Sequence, residues 1–175
     1  MPSPIIDDLS DPAGLSALGT RWQLVTDQVM GGVSRGTLTR ETVAGRPALV
    51  IRGDVRLENN GGFIQMALDL ARPEAPGSGT LDARRWQGLE VDACGPRQSY
   101  SLHLRTTDLD RPWQSYRQEF SVQPEWQSLR LAFADFVPHR TEVSLNLEHL
   151  RRLGIVAIAR AFTANLALGG VRFYG

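Results

Sequence analysis

The stretch Gly32-Val33-Ser34-Arg35-Gly36 fits GxSxG, the pattern that in α/β-hydrolases lifts a serine nucleophile onto a sharp turn between a strand and a helix. A serine used in this way also needs a histidine base and a carboxylate to orient it. The chain has three histidines, His103, His139 and His149, and the order Ser34, an aspartate, then His139 or His149 can be drawn. The context does not support it. After Ser34 comes "TLTRETVAG", alternating and rich in β-branched residues, which predicts a strand where the motif needs a helix. Gly31 and Gly32 are better read as backbone devices for a turn, and Ser34 is not expected to be a nucleophile.

The remaining chemistry-bearing residues are sparse. His103 lies between Leu102 and Leu104 and faces away from them, which makes it the best acid–base candidate, although nothing in its spacing supplies a partner. No HExxH spacing occurs, and Cys94 stands alone, so neither a cysteine zinc site nor an intramolecular disulfide is available. No metal and no cofactor are expected. Asp108 and Asp110 in "TTDLDRP" offer oxygens that would suit Ca²⁺, but without the glycine and terminal glutamate of an EF-hand the segment reads as an acidic turn. The chain is therefore expected not to be an enzyme.

The elements that must position these residues have a period of two. In "ALVIRGDVRLE", Leu49, Ile51, Val55 and Leu57 share one face. "SYSLHLRT" sets Tyr100, Leu102 and Leu104 against Ser101, His103 and Arg105. "WQSLRLAF" sets Leu129, Leu131 and Phe133 against Trp126, Ser128 and Arg130. Seven further strands are predicted near 21–26, 34–40, 62–70, 87–93, 114–122, 153–160 and 165–174. About ten short strands with minimal helix indicate an all-β sandwich or barrel. "NNGG" at 59–62 predicts a tight hairpin, 71–85 a surface loop rich in proline and glycine, and "NLEHLRRLG" the one helical turn. A single domain over 1–175 is expected, with its core at about 20–174 and an N-terminal extension over 1–19.

Strand parity places Phe63, His103, Arg105, Arg117, Glu119 and Trp126 on the sides of their strands turned away from the core. If those strands are neighbours, one sheet face carries arginines, a histidine, a carboxylate and two aromatics, a set that suits sugars, carboxylates or a protein partner. The alternative is an amphipathic sheet whose outer face is simply wet. Asp27 and Asn60 complete the candidate binding set, because the glycine-rich loops "DQVMGG" and "NNGGF" are best able to approach a bound partner.

All 19 basic residues are arginine, balanced by 19 acidic ones to a formal net charge of zero. That balance excludes the excess positive charge with which nonspecific nucleic-acid binders displace counterions. The N-terminus shows neither a secretory nor an organelle-import pattern, and no apolar run approaches the roughly 20 residues that span a bilayer. A soluble, bacterial, cytoplasmic protein without membrane insertion is expected.

"WQLVTDQVMGGVS", followed by "IRGDV" and "NNGGF", resembles the opening of the complex I intermediate-associated protein 30 family. "GLEVDACG", "YSLHLRT", "SYRQEF", "WQSLRLAFADFVP" and "LGIVAI" continue in the family's order, so the resemblance runs from about Trp22 to Phe173. "VPHRTEVSLN" departs from it in lacking an Arg-Gly turn. The resemblance implies a galactose-binding-like jelly roll and a binding or assembly role through protein contacts, with a respiratory-complex subunit as the family's kind of partner. The same fold also serves carbohydrate and small-ligand modules, which stand as the alternative function.

Overall fold

Alternation along the strands decides which side of each is buried, and two sheets result. The computed structural model describes residues 3–72 and 79–175. Twelve strands are found there: β1 (Ile5–Asp7), β2 (Gln23–Thr26), β3 (Arg35–Val43), β4 (Arg46–Val55), β5 (Phe63–Asp69), β6 (Gly88–Cys94), β7 (Gln98–Thr106), β8 (Ser115–Val122), β9 (Gln127–Ala132), β10 (Val137–His139), β11 (Leu150–Ile158) and β12 (Phe162–Tyr174). One sheet runs β3-β4-β12-β6-β9, with β1 also paired to β12; the other runs β10-β8-β7-β11-β5-β2. All pairings are antiparallel. The chain is a jelly-roll β-sandwich, and the ten strands expected from the sequence are all present.

The core lies between the sheets. Leu49, Ile51, Leu89, Val91, Leu166 and Leu168 from one meet Ile64, Met66, Leu68, Leu102, Leu104 and Ile155 from the other, all buried. Along β12 the inward side passes from Ala164, Leu166 and Leu168 to Val171 and Phe173. The register shift between Leu168 and Gly170 makes that change of parity, as a bulge does.

Three details differ from the sequence reading. The N-terminal segment is part of the core: Ile5–Asp7 pairs with β12, and Ile6 and Leu9 are buried in the main cluster. Asn59 and Asn60 do adopt positive φ, both 59°, yet their turn is no hairpin, because it carries the chain from β4 in one sheet to β5 in the other. The tight hairpin is instead β3–β4, turned by Ala44 and Gly45 at φ 48° and 77°. Helix is confined, among the described residues, to four single 3₁₀ turns at Asp27–Met30, Glu58–Asn60, Phe133–Asp135 and Leu147–His149. Residues 73–78, in the expected 71–85 loop, lie outside the described residues.

Candidate functional site

Asp27 begins the 3₁₀ turn that follows β2, and it is wholly buried. Its Oδ1 accepts the Ser34 N–H at 3.0 Å. Its Oδ2 accepts the Ser34 hydroxyl at 2.5 Å, the Gly62 N–H at 2.6 Å and the Phe63 N–H at 3.2 Å. One carboxylate therefore ties "DQVMGGVS" to "NNGGF", loops about thirty residues apart in sequence. Burial by itself would raise its pKa, but the hydrogen bonds from Ser34, Gly62 and Phe63 outweigh that and hold the carboxyl below its ordinary value.

The glycines around Asp27 follow from its position. A Cβ on Gly32 would stand 2.5 Å from Asp27 Cγ, and one on Gly61 would stand 2.5 Å from its Oδ2. Gly31 is different: it has open space around it but a φ of 84°, the left-handed cap of the turn. Ser34 is fully buried, with its oxygen accepting the Arg56 N–H at 2.8 Å while its proton goes to Asp27. The GxSxG match is thus a structural joint, as its strand-like context indicated. Asp27, expected to face a partner, presents none of its surface; that expectation is corrected by its four internal donors.

What the joint holds outward is apolar. Val29 is 74% exposed, Met30 63%, Leu57 49% and Val33 39%. The loop carrying Val29, Met30 and Val33 is pinned further by Gln28 Nε2 donating to the Ser34 carbonyl at 2.9 Å and Asn59 Nδ2 donating to the Gly31 carbonyl at 3.2 Å. Beside it an open groove of about 660 Å³ is lined by Leu24, Thr26, Gln28, Val29, Arg35 and Gly36. It lies where the edge strands β2 and β3 of the two sheets come together. Sequence reading missed these apolar residues because loop residues carry no periodicity; an unbroken Val29-Met30 pair inside a glycine-rich turn was the available signal.

The outer face of the second sheet gathers Phe63, His103, Arg105, Arg117 and Glu119, as strand parity requires. His103 stands directly opposite Arg117 on β8 and Gly154 on β11. Arg117 is opposite Val137 on β10. The Gln65 side chain reaches over Gly154, where an added Cβ would come within 2.4 Å of its Oε1. Among the described residues, His103 Nε2 is buried without a hydrogen-bond partner. Burial, then the charges of Arg117 and His139, pushes the His103 pKa down to about 3, so the ring is neutral. Arg117 is half-buried; its Nε donates to Ser115 Oγ at 2.9 Å, and it forms no ion pair among the described residues. Burial, then Arg140, lowers its pKa from the ordinary value.

Two members of the expected set do other work. Arg105 Nη1 donates to the carbonyls of Arg111, Pro112 and Gln114 at 3.0, 2.9 and 2.6 Å, so this guanidinium holds the 107–114 loop. Trp126 is not on this face at all. It precedes β9 in the first sheet, donates to the Val43 carbonyl at 3.0 Å and packs under Arg46, whose Cζ is 4.9 Å from the ring centroid. The outer face around it is satisfied internally: Asp92 accepts from Arg46, Ser128 and Arg172, and Glu90 pairs with Arg130 and Arg172. Asn60 is exposed beside the apolar loop. Asp108 meets His149 Nδ1 at 3.0 Å across the acidic turn.

Solved structures share this architecture. The family 11 carbohydrate-binding module from Clostridium thermocellum, solved with a β-1,3-1,4-mixed-linked tetrasaccharide, is 9% identical, with a TM-score of 0.74 over 99% of this chain and 95% of that one. A family 30 carbohydrate-binding module is 15% identical, with a TM-score of 0.60 over 82% and 92%. An exo-β-agarase matches with a TM-score of 0.60 at 10% identity, over 98% of this chain and 24% of that chain. At such identities the likeness is one of fold. No curated protein matches the sequence. The profile of the complex I intermediate-associated protein 30 family matches residues 13–168, and the chain belongs to that family.

Proposed function

We propose that this chain is a noncatalytic binding protein that engages a protein partner through the apolar loop held out by Asp27. The observation that carries the reading is the combination of exposure and fixity. Val29 and Met30 are largely exposed, yet their loop is tied down by the buried carboxylate and by Gln28 and Asn59. A rigid apolar loop loses little conformational entropy on docking. The family's name ties it to a complex I intermediate, which makes a respiratory-complex subunit the first partner to test and an assembly role the first context. The noncatalytic reading is supported by Ser34, whose hydroxyl is occupied by Asp27 and Arg56.

The test is affinity capture from an extract of the native host, scored by mass spectrometry, with wild-type protein and a Val29→Asp/Met30→Asp variant. A partner retained by the wild type and lost by the variant, with melting unchanged, supports the proposal. Equal capture by both would place the contact elsewhere.

A second reading, binding of a sugar or other small ligand, is favoured by one observation. Among the described residues, the outer face of the second sheet leaves His103 Nε2 without a hydrogen-bond partner and the Arg117 guanidinium without an ion-pair partner, whereas the corresponding charges on the first sheet are paired. Binding of mixed-linkage β-glucan, measured by affinity electrophoresis, tests the sugar form of that reading.

A further inference from the structure

We propose that the patch formed by His103 and Arg117, opposed across β7 and β8, together with the Gln65 side chain that reaches over Gly154 from the neighbouring row, is a binding site for a small carboxylate-bearing ligand. The inference deepens the small-ligand reading of this face and is independent of the protein-docking loop. It starts from an imbalance of charge. Arg117 has Arg140 and His139 as electrostatic neighbours, and all three are potential cations. Among the described residues no carboxylate lies within ion-pair distance of Arg117. Glu119, the nearest along β8, sits one row away opposite Ser101 and makes no ion pair. Protein interiors and recesses seldom leave a half-buried guanidinium without an anion, because burial costs energy that a partner normally offsets.

Geometry narrows the ligand. The Nε of Arg117 is taken by Ser115, which leaves its two terminal nitrogens, the pair that grips a carboxylate side-on. His103 is directly opposite across the β7–β8 ladder, and side chains so opposed have Cβ atoms about 4.5–5.5 Å apart. Its Nε2 is buried and has no partner among the described residues, so the neutral ring, when protonated there, holds an unused donor beside that guanidinium. On the other side of His103 the ladder presents Gly154, so no side chain fills that position except the overhanging Gln65 amide. A hydroxyl or second carboxylate oxygen of the ligand has a donor and an acceptor there. The site thus reads a carboxylate at one end and a neutral polar group at the other.

The probes are galacturonate, succinate and galactose, titrated into protein labelled for detection of the histidine ring nitrogens by nuclear magnetic resonance, with affinities from calorimetry. Galacturonate and succinate are expected to shift the His103 ring signals saturably, and galactose is expected not to. Arg117→Gln should weaken both acids by about tenfold or more, with its thermal melt showing a folded chain. Glu119→Gln, removing the nearby negative charge, should tighten both. If galactose shifts His103 as strongly as galacturonate, the face binds ligands but the carboxylate assignment is wrong. If no probe shifts His103 while the wild type is folded, the small-ligand reading of the face fails as well.

Discussion

Replacing Asp27 by alanine should be among the most damaging single changes in the chain. The substitution leaves the N–H groups of Ser34, Gly62 and Phe63 without their acceptor in a fully buried position. Each stranded donor costs about 1–3 kcal/mol, and water entering the vacated space recovers part of the sum, so a loss of roughly 4 kcal/mol is expected. For a chain of this size that is a fall of about 8–16 °C in melting temperature. Asp27→Asn should cost less, about 1–3 kcal/mol. Its amide nitrogen can take the Oδ1 side, facing the Ser34 N–H alone, while the oxygen keeps the three donors now on Oδ2. Urea unfolding followed by tryptophan fluorescence gives both values. The folded pKa of Asp27 lies below its unfolded value near 3.9, so the unfolded chain binds the proton more readily. Its stabilisation is present above that pH and is lost as pH falls through the lower folded value. Asp27→Asn should therefore lessen the acid dependence of stability below about pH 5. An Asp27→Ala protein within about 1 kcal/mol of wild type, but unable to capture a partner, would refute the joint and return Asp27 to the binding surface.

Three further outcomes follow from the same contacts. Gly32→Ala drives a Cβ into Asp27 and should cost about 2–3 kcal/mol, whereas Gly31→Ala meets open space and pays only for positive φ, about 1 kcal/mol; equal losses by chemical denaturation would contradict the contrast. Arg105→Ala removes the donor shared by three carbonyls and should speed amide hydrogen exchange across residues 107–114 while leaving β5 protected; unchanged exchange would make that guanidinium dispensable. Cys94 is buried and burial pushes its thiol pKa up, so its reaction with a thiol reagent should be slow and rise in step with unfolding; rapid labelling of the folded chain would overturn this.

Local periodicity is why so much of the fold was legible. Leu102 and Leu104 face the core and His103 and Arg105 face away because side chains alternate, whatever the strand's neighbours are. Sheet membership is a different kind of information. Parity correctly turned Trp126 outward, but β9 pairs with β6 and not with β8, so its outward side belongs to the opposite sheet from His103. Burial of Asp27 was invisible for a related reason: two of its four donors are backbone N–H groups of a loop about 35 residues away, which residue types do not encode. Arg105 looked free because backbone carbonyls, which every residue has, satisfy it. Burial of Ile6 carries no sequence signal, because a strand of three residues is too short to show a period.

Site-specific photocrosslinking in the native host tests directly whether the apolar loop docks a protein partner. A photoreactive amino acid is placed at Met30, which is largely exposed, and at Glu142 as an exposed control away from the loop. A discrete protein adduct is expected from position 30, identified by mass spectrometry as the protein captured by the wild type, with little of it from position 142. No protein adduct at position 30, or the same adduct in equal yield from both positions, would contradict that docking.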